Sequence, residues 1–372
     1  MKQLLLSIFL LLTVASCSNR LTTKYDVAGE RAVLPQEEAP HVRNSLEWWY
    51  LTGHLKDKQT GKRYGVEYVF FHFNPTGEKD YMMVNVAVSD PDAQKFRYDY
   101  NYAKLPSFLP AQLPVGLTMR KKAQTWTLTG QEGRYHMQAR MVDHPGTAID
   151  LKTKPAKEVL MHGGNGYDRN VAMNKVGYYS YPRLDASGTI EIDGKPHEVE
   201  GEMWYDRQWN CNMSGTKDVS WDWFSIQLDE PREEMMLYNL VHRPTGKKLG
   251  GGSHFSAKAD NTHLEPADFQ VENLAYWTSP TSGLRYPSKW RVRVPSKGYD
   301  LIVEPLIPNQ ELRIHFYAIF NLYYWEGMCR VTGTHNGKPV TGNSYVEITN
   351  RREVKKAKAV VEETAEVTSQ AQ

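Results

Sequence analysis

A chain of 372 residues with 45 Lys+Arg against 43 Asp+Glu carries a formal charge of +2, so nothing in its balance calls for nucleic acid as a partner. At 40% hydrophobic and 24% charged residues it is too apolar for wholesale disorder and long enough for two cores. The departure from ordinary composition is aromatic: 22 Tyr, 11 Phe and 10 Trp make 12% of the chain, which fits either a β-rich core or an aromatic-lined ligand cavity.

Lys2 precedes an apolar run from Leu4 to Ala15, too short to span a bilayer and matched to the core of a signal peptide over residues 1–16. Val14-Ala15-Ser16-Cys17 places small residues before a cysteine, the pattern of a bacterial lipobox, and predicts lipidation at Cys17. The expected product is a lipoprotein of the cell envelope, anchored to a membrane rather than spanning it. No Asp follows Cys17, which favours the outer membrane, facing the periplasm. Residues 17–44 are polar, contain Pro35 and Pro40, and read as the lipidated tether. Of the remaining thiols, Cys211 and Cys329, spacing alone does not decide whether they pair. CxxC, HExxH and tight His clusters are missing from the sequence, so neither a metal nor a cofactor is expected.

From residue 45 the pattern is β. Residues 67–73, 81–89, 126–130 and 135–141 are short, aromatic or β-branched, and partly alternating. Asp193-Gly194 separates two such runs, 189–192 and 198–204, and predicts a tight hairpin; Asn336-Gly337 predicts another. Further strands are expected at 224–228, 235–241, 290–294, 301–304, 312–320 and 345–349. The fold class is all-β. Ser45-Leu46-Glu47-Trp48-Trp49-Tyr50 is echoed by Ser220-Trp221-Asp222-Trp223-Phe224, and Asp193-Gly194-Lys195-Pro196 by Asn336-Gly337-Lys338-Pro339. This repeat predicts two related antiparallel barrels over 45–214 and 215–350, with a linker near Asn210–Gly215 and a disordered tail over 351–372.

Four aromatic clusters contain an acid. In Gly201–Trp209, strand alternation puts Trp204, Asp206 and Gln208 on one face and Tyr205, Arg207 and Trp209 on the other. An Asp against a Trp wall is pushed towards a general acid at neutral pH; the same Asp beside Arg207 also fits a plain ion pair. Glu47–Leu55 offers Glu47, Trp48, Tyr50 and His54, with one Trp expected to plug a barrel end. Trp221-Asp222-Trp223-Phe224 with Gln227, and Tyr323–Gly327 with Glu326, fit either a cavity wall or core packing. Gly163-Gly164-Asn165-Gly166 lacks the spacing of a phosphate loop.

Taken in order, EWWYLTGHL at 47–55, YYSYPRL at 178–184, GEMWYDRQW at 201–209, WDWFSIQL at 221–228 and YWEGMCRVTGTHNGKPVTGNSYVEIT at 324–349 resemble the AttH / carotenoid 1,2-hydratase family. Asn210 departs from the family pattern, where a Gly is usual, so the turn there is expected to differ. The resemblance implies two lipocalin-like barrels in tandem. It also implies one of two functions. The first is a lipid-anchored module that binds a hydrophobic lipid or terpenoid-like ligand, linked to ABC-transporter components. The second is a hydratase or isomerase acting on an isolated C=C of an apolar substrate. In the second, Asp206 is the acid, with Tyr205 and Gln208 orienting water. In either, Trp204, Trp209, Glu47, Trp48, Tyr50, Trp221, Asp222 and Trp223 are the expected ligand contacts.

Overall fold

The computed structural model describes residues 31–42, 44–74, 77–168, 176–211, 219–316 and 320–349. The signal peptide, Cys17, residues 212–215 of the linker, residues 216–218 and the 351–372 tail lie outside the described residues. Within them the long elements are all strands, as the alternation predicts.

The first sheet has twelve strands: β1 (Leu46–Asp57), β2 (Arg63–Phe73), β3 (Tyr81–Asp90), β4 (Lys95–Lys104), β5 (Val115–Lys121), β6 (Gln124–Gln131), β7 (Arg134–Arg140), β8 (Ala148–Pro155), the short β9 (Leu160–Met161) and β10 (Tyr167–Asp168), β11 (Val176–Ile192) and β12 (Lys195–Trp209). Its order is β4-β3-β2-β1-β12-β11-β8-β7-β6-β5, antiparallel throughout. The ends β4 and β5 meet: Asn101 Nδ2 donates to Arg120 O at 2.7 Å, and Lys121 pairs with Asp99. The sheet thus curls into a nearly closed barrel, which hides most of its edge.

The second sheet has eleven strands: β13 (Val219–Leu228), β14 (Glu234–His242), β15 (Lys247–Lys248), β16 (Gly251–Phe255), β17 (Asn261–Leu264), β18 (Gln270–Thr278), β19 (Arg285–Val294), β20 (Tyr299–Pro305), β21 (Glu311–Phe316), β22 (Phe320–His335) and β23 (Lys338–Thr349). Its order, β17-β16-β14-β13-β23-β22-β20-β19-β18, repeats the plan of the first: the opening strand pairs with both the second and the last. This second barrel is more open, with β17 and β18 as its edges. The sequence echo between Trp48–Tyr50 and Trp221–Trp223 therefore marks equivalent strands, β1 and β13. Both predicted hairpins form at residues with positive φ: Asp193 at 51° and Gly194 at 80°, Asn336 at 51° and Gly337 at 76°.

Each barrel has its own apolar interior, with Trp49, Tyr68, Tyr205 and Trp209 in the first and Phe224, Trp290 and Trp325 in the second. A third apolar cluster lies between them and holds Tyr50, Tyr178, Trp204, Trp223, Met328 and Tyr345. Residues 31–42, expected as part of a tether, lie against the first barrel: Trp49 Nε1 donates to Glu38 O at 3.0 Å and Tyr181 OH to Glu38 Oε1 at 2.9 Å. Cys211 and Cys329 are both buried free thiols.

Candidate active site

Period-two alternation sends Trp204, Asp206 and Gln208 out of the first barrel and Tyr205, Arg207 and Trp209 into it, as the sequence predicts. The outward face meets the second barrel. On the first sheet, strand register sets Val69, Tyr50, Asp206 and Ser180 in one row across β2, β1, β12 and β11. The next row holds Glu67, Thr52 and Trp204. On the second sheet the corresponding row is Trp223, Glu347 and Glu326 across β13, β23 and β22.

Asp206 is buried and receives three hydrogen bonds. Trp204 Nε1 and Ser180 Oγ donate to Oδ1 at 2.5 Å each, and Tyr178 OH donates to Oδ2 at 2.5 Å. Burial pushes its carboxyl up to about 6, against the downward pull of the Ser180, Tyr178 and Trp204 bonds. Behind them, the His162 ring bridges Ser180 Oγ at 2.7 Å and Ser253 Oγ at 2.9 Å, tying both barrels to the site. Burial lowers that imidazole to about 3, so it is neutral. Trp223 Nε1 donates to Tyr178 OH at 3.0 Å, and the Trp223 ring meets Tyr50 and Trp204 edge-on at 5.4 and 6.2 Å.

Three glutamates complete the layer. Tyr50 OH donates to Glu326 Oε2 at 2.8 Å, and Trp221 Nε1 to Glu347 Oε1 at 3.2 Å. Glu67 is fully buried and neither of its carboxyl oxygens has a hydrogen-bond partner. Burial, reinforced by the Asp206 charge and opposed by Trp221, brings Glu347 to about 7. Burial and the Glu347 charge bring Glu67 to about 8. Glu326 is raised well above the usual carboxylate range by burial and by both neighbouring glutamates. No cation contributes to the shift of any of these four carboxyls. Glu326 and Glu347 are also direct cross-strand partners, where two like charges are unfavourable. Most of the layer is closed, but Trp48, Phe71, Trp221 and Glu347 keep partial exposure, forming a half-open aromatic rim.

The predicted site residues divide between this layer and the barrel interiors. Trp204, Asp206, Gln208, Trp48, Tyr50, Trp221 and Trp223 share the layer. Tyr205 points the other way, stacking on Tyr135 at 4.6 Å inside the first barrel, so it does not flank Asp206. Trp209 is interior too, stacked on His41 at 5.1 Å. Asp222 is buried on the face of β13 opposite Trp221 and Trp223. Glu47 is buried in a charge network: Arg207 Nη2 lies 2.5 Å, His41 Nδ1 2.8 Å and His72 Nδ1 2.6 Å from its oxygens. Burial alone would raise this carboxyl; Arg207, His41 and His72 outweigh it and hold it far below the usual range. The Arg207 guanidinium also lies 4.0 Å from the Trp49 ring centroid. The ion pair foreseen for this strand therefore forms between Glu47 and Arg207, leaving Asp206 free of it.

Sequence reasoning missed Glu67, Glu347, Tyr178, Ser180 and His162. Tyr178 and Ser180 alternate within YYSYPRL and Glu347 lies in YVEIT, but only the strand register shows that these stretches converge. Among the described residues, no group of three or more His, Cys, Asp or Glu side chains is placed to hold a metal ion.

The AttH-like family pattern matches residues 26–351. A candidate AttH protein from Nitrosomonas europaea superimposes with a TM-score of 0.75 at 25% identity, covering 88% of this chain and 99% of that one. Kievitone hydratase from Nectria haematococca matches with a TM-score of 0.66 at 16% identity, over 86% of this chain and 93% of its own. CghA, in a structure with Sch210972, matches with a TM-score of 0.52 at 11% identity, over 90% and 97%. The last two share the fold. No curated protein matches the sequence.

Proposed function

The chain belongs to the AttH-like family, and from that premise we propose that it adds water to, or removes it from, an isolated carbon–carbon double bond of an apolar substrate, in the layer between its barrels. The observation that carries this reading is the set of four carboxyls in the layer, Glu67, Asp206 and Glu326 buried and Glu347 at its rim, shifted upward with no cation to neutralise them. An unactivated alkene needs a carboxylic acid that is still protonated near neutral pH, held against a wall that tolerates a carbocation.

The hydrogen bonding and exposure of the two groups suggest the parts. Asp206, whose charged form is held by three donors on its oxygens, is the proton acceptor; Glu347, at the half-open rim with Trp221 Nε1 on one oxygen, is the donor. Its proton forms a new C–H bond at one alkene carbon. The positive charge left on the other carbon faces Tyr50, Trp221 and Trp223. Water forms the C–O bond there and passes its proton to Asp206, and return of that proton to Glu347 resets the site. In this reading Asp206 is the acceptor, where the sequence predicts the acid. The fold-level likeness to kievitone hydratase agrees with the reading but does not carry it.

Turnover of a panel of terpenoid and prenylated alkenes in H₂¹⁸O tests it. The product alcohol should carry the label, and activity should rise with pH through about 6 as Asp206 ionises and fall through about 7 as Glu347 loses its proton. Glu347→Gln and Asp206→Asn should each lower the rate by about 100-fold or more. A rate that survives both substitutions would contradict the assignment. A second reading, a carrier that holds the same ligand without chemistry, is favoured by the aromatic rim of Trp48, Phe71 and Trp221. Unlabelled lipid co-purifying with a protein that turns over nothing would select it.

A further inference from the structure

Away from the carboxyl layer, a cleft of about 510 Å³ opens between the edge strand β4 of the first barrel and β21 of the second. Its volume is that of a small-molecule site. Phe96 and Tyr98 stack at 5.7 Å along one wall, and the Tyr98 ring lies 6.4 Å from His144. Tyr98 OH reaches Arg313 O across the cleft at 3.5 Å.

The charges here are arranged opposite to those of the layer. The acids are already satisfied by the protein: Glu311 accepts hydrogen bonds from Ser279 at 2.6 Å, Ser282 at 2.5 Å and Tyr286 at 2.8 Å. Asp193 is gripped by Arg97 Nη2 at 3.0 and 3.1 Å. The cations are less fully matched. Arg97 is only 7% exposed, yet its Nη1 has no hydrogen-bond partner, and neither has the buried Nε of Arg313. Among the described residues, Arg313 and Lys95 form no ion pair. A buried guanidinium with donors unspent is costly unless an acceptor arrives, and its planar fork suits carboxylate or phosphate oxygens.

We propose that this cleft is a second binding site, which takes a ring-bearing small molecule carrying a carboxylate or a phosphate. The ring lies on Phe96 and Tyr98, and the oxyanion meets the guanidinium of Arg313 and the ammonium of Lys95, both of which line the cleft. The site is independent of the reaction in the layer.

Titration of the full-length protein with naphthoate, naphthyl phosphate and uncharged naphthol, followed by naphthyl fluorescence, tests the proposal. At least one of the two anions should bind saturably and about tenfold or more tighter than naphthol, and the tighter anion identifies the natural headgroup. Arg313→Gln should bring that anion to the level of naphthol and leave naphthol binding itself unchanged, because among the described residues Arg313 is in no ion pair and its guanidinium lies a distant 5.6 Å from the Tyr323 ring. Glu347→Gln, in the layer, should leave anion binding unchanged. Equal affinity for naphthol and both anions, or anion binding untouched by Arg313→Gln, would overturn the proposal.

Discussion

Glu47 and Glu67 lie on neighbouring strands, both fully buried, yet they are in opposite protonation states. Desolvation raises each. At Glu47 the Arg207 guanidinium and two imidazoles reverse that effect, so the carboxylate is charged and structural. At Glu67 nothing reverses it, and the acid stays neutral. Sequence alone separates them poorly, since both are single acids inside aromatic runs. What distinguishes them is which face of the strand each occupies and what stands across from it. A stability consequence follows for Glu67. Its folded pKa of about 8 exceeds the ordinary 4.5, so the folded chain keeps a proton that the unfolded chain releases. That stabilising difference is complete below the ordinary value and is lost as pH rises through about 8. Glu67→Gln removes the dependence. Relative to the parent protein, the variant should therefore gain on the order of 1–3 kcal/mol between pH 5 and pH 8 in urea unfolding. An identical difference at both pH values would show that Glu67 is ionised in the fold.

Among the elements, the strands whose patterns alternate cleanly were legible, and so were the turns. Asp-Gly and Asn-Gly mark both long hairpins because their residues tolerate the positive φ those turns require. The echo between Glu47–Tyr50 and Trp221–Phe224 correctly paired β1 with β13. Strand β4 escaped notice, because Tyr98, Tyr100 and Tyr102 alternate with polar residues on a face only partly covered by the second barrel. The convergence of β11, β12 and β23 was illegible for another reason: register between distant strands is set by the whole sheet. Where the barrels touch, one small residue sets the approach. A Cβ added at Gly65 on β2 would lie 2.8 Å from Met328 Sδ and 3.0 Å from Met328 Cβ on β22. Gly65→Ala should cost about 1–3 kcal/mol, and most of that should disappear in a Met328→Ala background, as thermal melts of the four proteins would show. Equal cost in both backgrounds would place the strain elsewhere.

At the scale of the molecule, the candidate site belongs to neither barrel alone. Asp206 and Glu67 come from the first and Glu326 and Glu347 from the second, so the layer exists only when the two are docked. Polar clamps around it keep them so. Arg183 Nε lies 2.6 Å and Lys157 Nζ 2.5 Å from the buried Glu234 carboxylate, and Ser89 Oγ donates to Gln310 Oε1 at 2.7 Å. The tandem-barrel plan was readable from composition, turns and the internal echo. The pairing of faces was not, because an aromatic pointing into a barrel and one pointing at its neighbour look alike in sequence; Tyr205 and Trp204 are adjacent and serve different cores.

If the layer holds neutral carboxylic acids at physiological pH, infrared spectroscopy sees them. A pH titration of the protonated-carboxyl C=O band should show signal persisting at pH 7 and decaying through steps near 7 and 8, with the first diminished in Glu347→Gln and the second in Glu67→Gln. A spectrum with no protonated-carboxyl band at pH 7 would mean that all four acids are ionised, and the acid–base account of this site would fall.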